Sequence, residues 1–314
     1  MRTCSVLICA LMLGLGAMAY GWDTSQEVVL HRGTMHVVID GSGGIRSVGD
    51  TRLGLQLQPQ RPSEVFRLIL RERNGTLRVV RSELQQPPAW STTSCRATAT
   101  WAGLLKDDAR GEHRLTVRVT WSLEPGSDSG TELKVRLTLI NRSPHTVLEV
   151  WTPAVGGLQT LGGDAVASNP TVRRALTLPF GDWAPGYPAN MPMAFMHIGR
   201  EKGLYFGAHE IVARLKLFRL SEEEGDISAR LTHCPLLKSG QTFSSAAAVY
   251  RFHTSGFEGA GRIYRAWFMR TFGVKPPWSD WLRKQSFFQM TMMMLPEGNI
   301  NYRFRDIPRL AADA

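Results

Sequence analysis

The sequence predicts a mainly β fold: a large antiparallel sandwich, then a linker helix, then the first strand and helix of an incomplete (β/α)8 barrel. Three observations predict it. From Glu27 to about His253, apolar and polar residues alternate with period two in short runs separated by Gly, Pro, Asn, Asp and Ser. Ile263, Tyr264, Trp267, Phe268 and Phe272 then fall at helical spacings and end at Gly273, ahead of Pro276-Pro277. Last, residues 287–295 form a short uncharged apolar run of the kind buried on both faces of a parallel sheet, bounded by Pro296.

At the amino end, Arg2 precedes an apolar run over 6–15, and Ala17-Met18-Ala19 matches a small-x-small cleavage site, so 1–19 reads as a signal peptide. The expected localisation is secreted or periplasmic. The run is too short to span a bilayer, and no other stretch approaches the roughly 20 apolar residues a spanning helix needs, so no integral membrane segment is expected after cleavage. The sandwich is placed at 22–257. Its best strand has Leu115, Val117, Val119, Trp121 and Leu123 on one face and Thr116, Arg118, Thr120 and Ser122 on the other. Leu133, Val135, Leu137 and Leu139 supply its hairpin partner after a turn in 124–130. Further strands are expected at 28–31, 35–40, 65–72, 77–82, 193–199, 204–209, 213–220, 227–233 and 246–253. So many strands imply two large packed sheets rather than one small barrel.

The helix, at 259–272, and the junction occupy 258–280, and 281–314 is read as the truncated start of a barrel domain. A barrel takes about 250 residues; this segment supplies 34. After the 287–295 strand, Pro296-Glu297-Gly298-Asn299 gives turn chemistry. Asp306 and Pro308 start a helix whose Ile307, Leu310, Ala311 and Ala314 keep an apolar stripe to the last residue.

Composition fits a protein able to bury a full core, with 43% hydrophobic and 20% charged residues. Net charge is +10, but Arg114, Arg118 and Arg136 are scattered through strands rather than gathered into a basic run, so no nucleic-acid partner is expected. The charge is equally consistent with acidic polysaccharide, an anionic envelope surface, or arginine-rich usage alone. The eight histidines form no zinc-ligand spacing, so no metal or other cofactor is expected. The glycines at 41–44 lack the Lys-Ser/Thr of a phosphate loop and suit a turn. Cys95 and Cys234 remain after signal removal, and sequence leaves open whether they pair.

The ordered motifs Gly181-Asp182-Trp183, Gly186-Tyr187-Pro188, Met193-Ala194-Phe195, Gly203-Leu204-Tyr205-Phe206-Gly207-Ala208-His209-Glu210, Gly261-Arg262-Ile263-Tyr264-Arg265-Ala266-Trp267 and Pro277-Trp278 carry a family resemblance. Together they resemble the front half of a glycoside-hydrolase-like family with an N-terminal galactose-mutarotase-like β-supersandwich followed by a TIM-barrel glycosidase domain. Asp40-Gly41-Ser42-Gly43-Gly44-Ile45 looks like the hairpin that opens such sandwiches. The chain departs from the family pattern at Glu210, where His-Asp is usual in place of His209-Glu210.

The resemblance implies a carbohydrate partner, and the missing barrel portion as a second one. Sugars are held by aromatic faces and planar polar side chains, and Asp182, Trp183, Tyr187, His209 and Glu210 are the substrate-binding candidates. Trp183 and Tyr187 serve equally well as packing at a domain junction, and His209 as a structural strand histidine. His209 and Glu210, adjacent on a strand, should point to opposite faces. No catalytic residue is assigned: glycoside cleavage needs two carboxyls, and only Glu297 lies beyond the single barrel strand, while no stretch matches mutarotase motifs.

The expected function is a non-catalytic, carbohydrate-associated N-terminal domain of an exported glycoside-hydrolase-like protein, inactive alone. The alternatives are a stand-alone carbohydrate-binding or assembly module, or a periplasmic structural protein without a sugar ligand. Without neighbouring barrel strands, the 287–295 segment is an aggregation hazard. Truncation after Trp278 is expected to raise the soluble yield on expression; an unchanged or lower yield counts against the truncated-barrel reading.

Overall fold

The computed structural model describes residues 27–126 and 130–273. The 1–19 signal segment and the 281–314 barrel segment expected from sequence lie outside the described residues. The chain divides into two units, Met1–Thr271 and Phe272–Ala314, and the sandwich belongs to the first.

Alternating burial builds a sandwich of antiparallel sheets. The larger has ten strands, running in space Arg173–Ala175, Val166–Ser168, Phe195–Gly199, Gly203–His209, Ala247–His253, Thr131–Asn141, Glu112–Pro125, Arg96–Lys106 and Ala89–Thr93, with Thr242–Ser244 also paired to Thr131–Asn141. The second has seven: Asp182–Trp183, Lys216–Glu223, Asp226–His233, Thr146–Trp151, Arg67–Arg71 and Leu77–Arg81, with Gly186–Tyr187 paired to Lys216–Glu223. Val28–Arg32, Met35–Ile39, Ile45–Asp50 and Leu55–Leu57 form a four-stranded meander. All the strand pairings are antiparallel among the described residues, as the alternation predicts.

The expected central hairpin is present and longer than its apolar core, with Glu112–Pro125 against Thr131–Asn141 and Val119 opposite Leu137. Leu115, Val117, Val119, Trp121 and Leu123 are buried, while Arg114 and Arg118 are exposed. The opening hairpin is also formed. Asp40 Oδ1 accepts from the Ser42 amide at 2.9 Å, the Ser42 hydroxyl at 2.7 Å and the Gly44 amide at 2.8 Å, closing the turn between paired Ile39 and Ile45.

The two sheets meet through aromatic rings. Phe206 and Tyr250 of the ten-stranded sheet stack at 5.0 Å, Phe218 of the seven-stranded sheet meets Phe206 edge-on at 5.1 Å, and Tyr250 Oη donates to Ala229 O at 3.1 Å across the interface. Gly203–His209 is buried at every position. Its other face is covered by the helix Gly256–Phe272, where Ala260 and Ile263 close over Phe195, Tyr205, Ala247 and Val249 as a second apolar cluster. The helix starts three residues earlier than its apolar spacing suggests, and the strand expected at 213–220 runs instead over Lys216–Glu223. Cys95 and Cys234 are unpaired, half-buried and exposed respectively. No described helix is long and apolar enough to cross a membrane.

Phe206→Ala should cost about 3–5 kcal/mol, the range for emptying a buried aromatic site, whereas Tyr250→Phe should cost about 1 kcal/mol for one hydrogen bond. Urea unfolding of the two variants checks the order; equal effects would show that the rings do not join the sheets.

Candidate functional site

The sequence-selected residues separate into three places. Asp182 sits on the outer strand of the seven-stranded sheet and pairs with Arg219, whose guanidinium lies 4.2 Å over the Trp151 ring. Trp183 and Tyr187 are half-buried and pack against the main core. Tyr187 also lies under the Lys216 ammonium at 4.8 Å, and Lys216 pairs with Glu210 at 2.8 Å, so Tyr187, Lys216 and Glu210 form one contiguous group. Burial pulls the Lys216 ammonium below its ordinary range against the pull of Glu210. Glu210 is further held by Arg214.

His209 points the other way, as the pleat requires. Its ring stacks on Trp267 of the helix at 4.4 Å with 7° between planes, and its Nε2 is 2.9 Å from Tyr205 Oη. Gly207 makes this possible, since a Cβ there would lie 2.1 Å from the Tyr205 hydroxyl. His209 is therefore walled in between sheet and helix, and burial, with Lys134 adding to it, brings its pKa down to about 3.

A depression lined by none of these residues lies elsewhere. A cleft of about 620 Å³ is lined by four separate segments: Asp40 and Ser42 of the opening hairpin, 60–64, 82–88, and 223–230, with Trp101 at its wall. Its base is an ion pair removed from water. Arg230 is 0% exposed and donates through Nη1 to Glu64, whose side chain is 1% exposed. Arg67 Nε donates to Glu64 Oε1 at 3.0 Å, and Arg67 Nη2 to Glu223 Oε1 at 3.1 Å. Asp226 enters from the side, its Oδ1 accepting from the Gly157 amide at 2.8 Å and Gln159 Nε2 at 2.9 Å. Gly157 has φ +77° and its missing Cβ would sit 2.7 Å from the Gln58 nitrogen, so glycine is required where the chain passes under Asp226. Burial raises the Asp226 carboxyl, and lost hydration raises that of Glu83, with the charge of Glu64 adding to it.

Chemically, this cleft offers hydrogen-bonding groups in both senses around a rigid charged floor. It can hold a polar, polyhydroxylated molecule. No group of three metal-ligating side chains occurs among the described residues. Sequence reasoning misses the cleft; of its lining residues only Asp40 and Ser42 stand out in a motif, and there for a turn.

Three histidines are held neutral by burial at a pKa of about 3, namely His209, His233 and His253. Their unfolded value is near 6.5, so below that pH the unfolded chain binds the extra protons and stability falls as pH falls. Between about pH 6.5 and 5, above the carboxyl range, each should remove up to about 1.4 kcal/mol per pH unit. Chemical denaturation over that window checks it, and His233→Gln should cut the slope by about a third; a flat profile would show that these rings are hydrated.

No protein-family model matches this sequence, and no curated protein matches it. Among solved structures, it is similar to a galactose mutarotase related enzyme from Lactobacillus acidophilus, at 14% identity and TM-score 0.52, over 74% of this chain and 99% of that one. It is also similar to the α-N-acetylgalactosaminidase NagBb from Bifidobacterium bifidum, solved as a GalNAc complex, at 10% identity and TM-score 0.53, over 78% of this chain but 39% of the other. At these identities the likeness establishes the fold, a galactose-mutarotase-like sandwich, in agreement with the sequence motifs.

Proposed function

We propose that this chain is a non-catalytic, carbohydrate-associated domain of an exported glycoside-hydrolase-like protein, binding glycan in the cleft over Arg230 and Glu64 and acting with a barrel portion for any cleavage. One observation carries the reading: an open cleft lined by charged and polar side chains over apolar surface, on a sandwich whose structural neighbours include a galactose mutarotase related enzyme and a glycosidase solved with GalNAc. Asp40, Glu64, Asp226 and Arg230 are held by bonds within the fold before any ligand arrives, which lowers the ordering cost of recognising a polar ligand there. The non-catalytic part rests on the carboxylates. Glu64 is neutralised by two guanidiniums, and one oxygen each of Asp40 and Asp226 is committed to hydrogen bonds within the fold, which argues against these three as an acid and nucleophile pair. Export rests on the 1–19 segment.

A second reading, a structural protein without a sugar ligand, draws on the packing of Trp183 and Tyr187 into the core. Calorimetric titration with a panel of neutral and charged oligosaccharides, run beside a reducing-sugar assay, separates the two. Binding without hydrolysis is expected, and Gln60→Trp with Gln86→Trp, both at the exposed rim, should weaken it at least about tenfold. A chain that binds no oligosaccharide supports the structural reading, and one that releases reducing sugar refutes the non-catalytic role.

A further inference from the structure

Arginines that look scattered in the sequence are gathered by strand register. Arg114 and Arg118 lie on Glu112–Pro125 and Arg136 on Thr131–Asn141, exposed on the outward face of the ten-stranded sheet while Leu115, Val117, Val119 and Leu137 point into the core. Arg118 stands across from Thr138 and Arg136 across from Thr120, so these two arginines are diagonal neighbours, roughly 7–8 Å apart. Arg114, four residues back along the same strand, is about 13–14 Å from Arg118. Beyond the second strand, the Arg142 amide donates to the Arg114 carbonyl at 2.9 Å, which sets a fourth exposed arginine beside the first.

No carboxylate answers them. Between Glu112 at one end of this face and Glu124 and Glu132 at the other, the outward positions of Ala89–Thr93, Arg96–Lys106, Glu112–Pro125, Thr131–Asn141 and Thr242–Ser244 carry no acidic side chain. Glu124 and Glu132 are already paired with Lys134. Among the described residues none of the four arginines enters an ion pair or donates a side-chain hydrogen bond. Like charges on neighbouring strands repel one another, and anions laid over them would relieve that repulsion. Hydroxyls stand between the guanidiniums: Thr98 Oγ1 and Thr120 Oγ1 are 3.2 Å apart, and Thr138 Oγ1 and Ser244 Oγ are 3.3 Å apart.

We propose that this face docks a linear polyuronate, a glycan with a carboxylate on each sugar. The arginine forks take the carboxylates two bonds at a time, and the threonine and serine hydroxyls meet the sugar hydroxyls. A polymer is required because the charges are spread along an open strand face, where one small anion would gain a single weak surface ion pair and linked carboxylates engage several. No aromatic ring stands at an outward position of these strands to stack on a nucleobase. Leu104 and Ile140 are the only large apolar side chains at those positions, too few to enter a membrane. The face shares none of these residues with the cleft, so it is a second surface of the molecule.

The test is calorimetric titration of the full chain, at about pH 7, with polygalacturonate and with its methyl ester, which keeps the sugars and removes the charge. Polygalacturonate is expected to bind at least about tenfold tighter than the ester, by a margin that shrinks in high salt. The variant Arg114→Gln, Arg118→Gln, Arg136→Gln and Arg142→Gln should weaken it at least about tenfold with the melting temperature unchanged, and Arg118→Gln with Arg136→Gln alone at least about threefold. A control removes the same charge from positions exposed elsewhere, Arg52→Gln, Arg73→Gln, Arg173→Gln and Lys202→Gln, and should keep the affinity within about threefold. An equal loss in the control would show capture by net charge and overturn the assignment of this face. Ester binding as tight as that of polygalacturonate would overturn it too. Single-stranded DNA or phosphatidylglycerol vesicles held as tightly as polygalacturonate would overturn the polyuronate as partner. None of these failures touches the cleft reading, which other residues carry.

Discussion

A guanidinium with no access to water must be answered by a carboxylate, and much of one end of this sandwich is arranged around that demand. Arg230, in the middle of the Asp226–His233 strand, is answered by Glu64, which lies just ahead of the Arg67–Arg71 strand. The Glu64 carbonyl accepts from the Ala154 amide at 3.1 Å, and its side chain also takes Arg67. Three stretches far apart in sequence are thereby fixed to one another. Removing either charge would leave the other buried alone, a loss of about 3–5 kcal/mol in typical cases.

The fold is largely legible in the sequence because burial on one face imposes period two. The Glu112–Pro125 and Thr131–Asn141 hairpin announces itself through Val, Leu and Trp on one face and Arg and Thr on the other. The eleven-residue strand Arg96–Lys106 does not, because Ala97 and Ala99 fill its first two buried positions beside half-buried threonines, ahead of Trp101 and Leu105, and alanine carries little strand signal. Lys216–Glu223 lies three residues beyond its expected place for a related reason: Lys216 is buried at its first position, where a charge would normally mark a loop, and the exposed Ile211, Val212 and Leu215 mimic a strand before it. The 256–272 helix is legible from its aromatic spacing alone.

The candidate site is much less legible. Period and motif report on contiguous residues, whereas the cleft is assembled from segments centred near 41, 62, 85 and 226. Its carboxylates are invisible as a group in a chain whose overall charge is strongly positive, since only folding collects them. Aromatic motif residues draw attention instead. Trp183 and Tyr187 pack against the core while half-buried and His209 stacks on the helix, and the opposite orientation of His209 and Glu210 follows directly from the pleat.

The ten-stranded sheet is roofed on both sides along Gly203–His209, by the other sheet beneath and by the Gly256–Phe272 helix above. The helix is consequently part of what makes the sandwich water-soluble, rather than a tether that could be lengthened or replaced at will. Lineages that recombine this sandwich with new downstream partners would have to keep the helix as part of the inherited cassette, with the natural seam for shuffling falling after Phe272.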